Sequence, residues 1–122
     1  MATTRPNVLL LLTDSSQYQV FGGQPHRVCR TPHVDGLADD GVRFDHAFSS
    51  APVCHPARAA IQTGVLPHAN GMMGNAIGAH AYPFRLREDM PCFAELLAEA
   101  GYRTGYAGQI HIRERGFTDF AG

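Results

Sequence analysis

The run Cys54-His55-Pro56-Ala57-Arg58 sets a soft nucleophile one helical turn from a fixed cation. Pro56 suits the first turn of a helix through about Gln62, and Gly64 suits its end. On that placement Cys54 precedes the helix N-terminus, where unpaired backbone N–H groups and the helix dipole favour an anion. Arg58 can reach back toward position 54 with a planar donor fork. The pair therefore suits an anionic substrate group held at residue 54. The same residue types also suit a buried structural cysteine beside a solvated arginine. A phosphatase-type Cys-x5-Arg loop is excluded, because position 60 is alanine.

Two further stretches carry groups capable of chemistry. Asp14 follows an apolar run, at what would be the carboxyl end of a strand, where open α/β sheets bind ligands. A carboxylate there can hold a hard divalent cation, or can act as a turn residue bonded to nearby backbone N–H groups. Gln109 and His111 in "GQIHI" follow a second expected strand and, at i and i+2, would project to one side in extended chain. Such a histidine serves as acid, base or hydrogen-bond donor, or simply sits on an edge strand. His26, Cys29 and His33 form a mixed set suited to zinc, but a fourth ligand is missing and Pro32 interrupts the segment. There is no Walker A loop and no G-x-G-x-x-G.

These residues need a scaffold. "NVLLLLT" (7–13) is short and uniformly apolar, as in a central strand buried on both faces. Residues 15–32, with "GG" and two prolines, read as a long loop. Thr31-Pro32 opens a helix to about Asp40, with the threonine as cap and Gly41 as terminator. "VRFDHAF" (42–48) alternates Val42, Phe44, His46 and Phe48 on one face and predicts a strand. Residues 67–83 read as an extended loop. "MPCFAELLAEAG" (90–101) places Phe93, Leu96, Leu97 and Ala100 at helical spacing. "YRTGYAG" (102–108) predicts a strand, and the tail after it shows no pattern. The order argues for an α/β fold, a largely parallel sheet with flanking helices.

The chain has 122 residues, 44% of them hydrophobic, and a net charge of −1. That suits one folded domain and offers no electrostatic case for nucleic acid or an anionic membrane. No apolar run approaches a membrane span, and the start lacks the apolar core of a signal peptide. A cytoplasmic location is the expectation. Cys29, Cys54 and Cys92 are odd in number with no C-x-x-C, so reduced thiols are expected rather than a disulfide framework.

Taken in order, the motifs resemble a known family. "CHPARAAIQTG" resembles the sulfatase signature Cys-x-Pro-x-Arg followed by an apolar stretch and Thr-Gly. "RPNVLLLLTD" resembles that family's first strand and metal-binding aspartate, and "LLAEAGYRTGYAGQIHI" resembles the helix and strand ending in Gly-Lys-x-His. "PHANGMMG" is similar to the heparan N-sulfatase (sulfamidase) branch. The resemblance implies the amino-terminal portion of a single alkaline-phosphatase-like catalytic domain, on the expectation that the chain is incomplete. It implies that a formylglycine-generating enzyme oxidises Cys54 to formylglycine. One hydroxyl of the hydrated aldehyde attacks sulfur, and the other helps expel sulfate. Ca2+ would be held by Asp14, Ser15 and modified Cys54. Arg58 would steady the nucleophile, while His111 and Gln109 would contact a small-molecule or carbohydrate sulfate. The sequence departs from the family at Ser15, where a second aspartate is usual, and at Gln109, where a lysine is usual. The first removes a carboxylate from the cation and the second a positive charge facing the sulfate, and they motivate a second expectation: a family scaffold, or a truncated fragment, without turnover.

Overall fold

The computed structural model describes residues 5–20, 29–75, 84–112 and 119–121. They belong to two units, Met1–Ala47 and Phe48–Gly122.

In the first unit a short 3-10 turn spans Tyr18–Val20 and helix α1 spans Pro32–Asp40. Proline at the first helical position is pre-set for the helix and lacks only an N–H that would have no partner there. Thr31 stands before it, but its hydroxyl does not cap the backbone. Its Oγ1 instead donates to the Asp35 carboxylate at 3.2 Å, while the Asp35 N–H bonds the Thr31 carbonyl at 2.8 Å. Most of the expected 15–32 loop, 21–28, lies outside the described residues.

Two expected strands do not form in this unit. Residues 7–13 have no strand pairing, and Leu9 is 81% exposed. Residues 42–48 likewise form no strand, and Phe44 and Phe48 are exposed. The physical reason is that a strand exists only against a partner. An apolar run stays extended and uncovered until another segment supplies ladder hydrogen bonds and a face to bury. Arg43 and Tyr18 converge on the Asp45 carboxylate, at 2.9 and 3.3 Å.

The second unit holds α2 (Cys54–Thr63), α3 (Pro67–Asn70), α4 (Phe93–Glu99), β1 (Gly105–Ala107) and β2 (Asp119–Ala121). Strand β1 forms inside the expected 102–108. Its parallel partner β2, in the register Gly105↔Asp119, comes from the tail in which the sequence shows no pattern. Three residues are too few for alternation to be legible. Among the described residues the expected parallel sheet amounts to this pair. Helix α3 also falls in a stretch expected to be loop throughout.

Helix α2 ends as expected at Gly64, which takes φ +69° and returns its N–H to Ala60. It buries Pro56, Ala59 and Gln62, one face at three-residue spacing. Ala59 packs with Met72, Leu86 and Cys92, flanked by Phe84, Met90 and Ile112. Helix α4 is shorter than expected and buries Ala94 rather than the larger stripe; Leu96 is half exposed. The Cys92 N–H at its start donates to Glu95 Oε2 at 2.8 Å, which satisfies a donor the helix leaves over. Away from the core, the exposed Arg87 guanidinium bonds Asp89 at 2.6 Å and holds that carboxyl below its usual range.

Asn70 and Gly71 join α3 to the segment that crosses it. Gly71 has φ +89°, and a Cβ built there would sit 2.7 Å from the Arg85 carbonyl oxygen. Gly71→Ala is therefore expected to destabilise the chain by about 2 kcal/mol or more, from left-handed strain plus displacement of backbone. Gly64→Ala has the same sign of φ but open space around it, so it should cost about 1 kcal/mol. Paired urea melts of the two variants check the difference: equal midpoints would mean that the close approach carries no energy.

Candidate active site

Val53 is extended, and Cys54 is the first residue of α2. The helix thus starts two residues before Pro56, and Cys54 lies in its first turn rather than ahead of it. Pro56 is tolerated at the third position because N–H groups of the first turn have no intrahelical acceptor. The His55 N–H is one such donor. It bonds Asn75 Oδ1 at 3.0 Å, from twenty residues downstream.

Asn75 makes two further contacts. Its Nδ2 donates to Cys54 Sγ at 3.0 Å, and its Oδ1 lies 2.7 Å from His55 Nδ1. An amide oxygen only accepts, so Nδ1 of His55 carries the proton in this contact. One amide therefore orients both the thiol and the neighbouring imidazole. Cys54 is half-buried, with its sulfur held by a polar partner rather than packed in the apolar core.

His111 arrives from the other end of the unit. After β1 the chain turns at Gly108, φ +107°, and again at His111 itself, φ +61°. The expected extended run through 109–111 is therefore broken, and Gln109 and His111 do not share the face of a strand. The turns bring the His111 ring onto His55, stacked with centroids 4.7 Å apart and planes 16° from parallel. One ligating atom each from Cys54, His55 and His111 lies within 4.8 Å of the others.

Arg58 secures this turn. Its Nη1 donates to the Gln109 carbonyl at 2.8 Å, and the Tyr106 hydroxyl donates to the same oxygen at 2.8 Å. Gln109 thus contributes its backbone, while the residue itself is exposed. Asp14 and Ser15 belong to the Met1–Ala47 unit; both are exposed, and Ser15 has φ +52°. In the same unit Cys29 and His33 are exposed; His26 lies outside the described residues. The sequence reading missed His55, Tyr106 and Asn75. His55 adjoins Cys54 and could have been weighed on that ground. Asn75 stands in a Gly-rich stretch with no periodicity, and nothing local marks it.

Ca2+ takes six to eight oxygen ligands, whereas the group around Cys54 offers one sulfur and two imidazole nitrogens. Asp14 and Ser15 carry oxygen donors of the right type but supply only two. With residue 54 a thiol, the side chains gathered there do not form a calcium ligand set.

Half-buried Cys54 at a helix N-terminus thus stands beside a histidine pair and an arginine-anchored turn. Residues 6–122 match the sulfatase family, and the chain belongs to that family. It is 33% identical over 110 residues to the N-acetylglucosamine-6-O-sulfatase of Bacteroides thetaiotaomicron, covering 90% of this chain and 18% of that protein. It is 35% identical over 113 residues to the human N-sulphoglucosamine sulphohydrolase, covering 92% and 22%. A solved 2-O GAG sulfatase superposes with a TM-score of 0.69 at 32% identity, over 84% of this chain and 22% of the other. The chain spans about a fifth of the length of the curated relatives it matches. Among the described residues no helix is long and apolar enough to cross a membrane.

Proposed function

We propose that the protein carrying this chain hydrolyses a sulfate ester or N-sulfate of a small molecule or carbohydrate, with residue 54 as nucleophile after its conversion to formylglycine. Hydrated formylglycine supplies the attacking hydroxyl. The observation that supports this reading most is the meeting of Cys54, at the start of α2, with His111 beyond β1, in a chain of the sulfatase family.

The roles follow from the contacts. The open N-terminus of α2 favours the negative charge of a sulfate at residue 54. Asn75 Nδ2, now donating to Sγ, is placed to donate to whichever atom replaces it. His111 stands within reach of residue 54 as a hydrogen-bonding and proton-transferring group. Arg58 carries positive charge from α2 and holds the turn that delivers His111. Gln109 is proposed to face the substrate, as a neutral donor where the family usually carries lysine. Asp14 and Ser15, both exposed oxygen donors, are proposed ligands of a divalent cation. Relatives of comparable identity are named for N-acetylglucosamine, N-sulphoglucosamine, steryl and choline sulfates, which supports a small-molecule or carbohydrate sulfate as substrate.

The direct test is the mass of the peptide holding residue 54, from a host that makes a formylglycine-generating enzyme. The aldehyde is expected. A free thiol at full occupancy in that host would overturn the reading.

A further inference from the structure

Before any conversion, residue 54 is a thiol, and in that state its neighbours form a different kind of site. We propose that the unmodified chain binds Zn2+ through Cys54 Sγ, His55 Nε2 and His111, with water in the fourth position.

The donor set decides the metal. One thiolate and two imidazoles suit zinc and are poor ligands for hard cations. The same mismatch that argues against calcium at these side chains argues for a borderline-soft ion. Distance supports it. One ligating atom from each of the three residues already lies within 4.8 Å of the other two. Around tetrahedral zinc, with bonds of about 2.0–2.3 Å, ligand atoms stand roughly 3.3–3.6 Å apart, so the closure needed is small. The two imidazoles now stack with centroids 4.7 Å apart. Binding turns the His111 ring about its side-chain torsions until its nitrogen converges with Sγ.

The surrounding contacts are those of a built site. Zinc-binding histidines bond their second nitrogen to a partner that fixes the tautomer. Asn75 Oδ1 does this for His55, accepting Nδ1–H at 2.7 Å and leaving Nε2 for the ion. Asn75 Nδ2 orients the sulfur at the same time. Cys54 and His55 are fixed by the start of α2, and His111 by a turn that Arg58 and Tyr106 both hold. All three ligands are half-buried, which leaves an approach for the ion and for one water. Ligation releases the thiol proton to solvent and transfers no electron. Once residue 54 is an aldehyde it has no sulfur to give, so the site exists only before conversion. Zinc there would hold the thiol closed to oxidation; that consequence, unlike the binding, rests on the proposed function.

Cobalt(II) and zinc titrations of the full 122-residue thiol chain test it, with residue 54 first shown by mass to be cysteine. A one-to-one complex with a sulfur-to-cobalt charge-transfer band, bleached by Zn2+, is expected. Cys29→Ser should keep the band, and Cys54→Ser should lose it. Asn75→Ala should weaken zinc binding about tenfold, as loss of an outer-shell partner does. In the unaltered chain, Zn2+ should protect the Cys54 peptide from alkylation while leaving Cys29 reactive, a result that needs no variant to fold. Absence of the band, or its survival in Cys54→Ser with loss in Cys29→Ser, would overturn the proposal. Equal alkylation of Cys54 with and without Zn2+ would do the same. None of these outcomes depends on whether a matured protein hydrolyses sulfate.

Discussion

On the proposed function, Cys54→Ala should leave the protein that carries this chain folded and without turnover. Removing a covalent nucleophile costs hydrolases on the order of 10⁵–10⁶ in kcat, because no other group forms the intermediate. The structural cost is of another order. Cys54 is half-buried and its sulfur takes one hydrogen bond, from Asn75. Losing that bond should lower stability by about 1 kcal/mol. The measurement is hydrolysis of an N-sulfated and an O-sulfated glucosamine by both proteins, beside their urea midpoints. Turnover within tenfold of the parent would show that residue 54 is not the nucleophile. A large fall in midpoint would show instead that the sulfur is structural, the bland alternative open from sequence.

The second large effect is on folding. Asn70→Ala should destabilise the chain by roughly 2–5 kcal/mol. Asn70 is fully buried. Its Nδ2 donates to the Val65 carbonyl at 2.8 Å, and its Oδ1 accepts the Met72 N–H at 2.8 Å. Its backbone carbonyl accepts from Arg87, which ties α3 to the crossing segment. Alanine leaves the buried Met72 N–H and the half-buried Val65 carbonyl without the side chain that satisfies them, at about 1–3 kcal/mol each when fully buried. Asn70→Asp separates the two bonds. It keeps an acceptor for Met72 but sets a carboxylate oxygen against the Val65 carbonyl. Protonation restores a donor, so that variant's folded state favours the neutral acid, and its carboxyl titrates above the usual range. Its deficit should therefore be smallest at low pH and grow as pH rises through that carboxyl's folded pKa. Denaturation midpoints of the three chains across pH would show this, and a pH-independent deficit for Asn70→Asp would refute the hydrogen-bond account.

Legibility from sequence divided along the range of the interactions involved. Helices α1 and α2 and the left-handed Gly64 were readable because caps, proline and glycine act within a few residues. Even there the start of α2 was misplaced by two positions. Pro56 marks the first turn but not which residue of it, and the acceptor that completes that turn comes from Asn75. The expected strands at 7–13 and 42–48 were read from apolar pattern alone, and pattern does not supply a partner. Strand β2 had a partner but too few residues to carry a pattern.

By itself the sequence determined the identities and order of the chemical groups: a cysteine, proline and arginine in one helical turn, and a histidine far along the chain. Tertiary structure decided what those groups touch. It set Asn75 across Cys54 and His55, stacked His55 on His111, and turned the Arg58 fork onto the carbonyl of Gln109. The physical reason is that side-chain hydrogen bonds and ring contacts reach only a few ångströms. Which residues come that close depends on the turns at Gly108 and His111 and on the packing of α2, and no spacing along the chain encodes that.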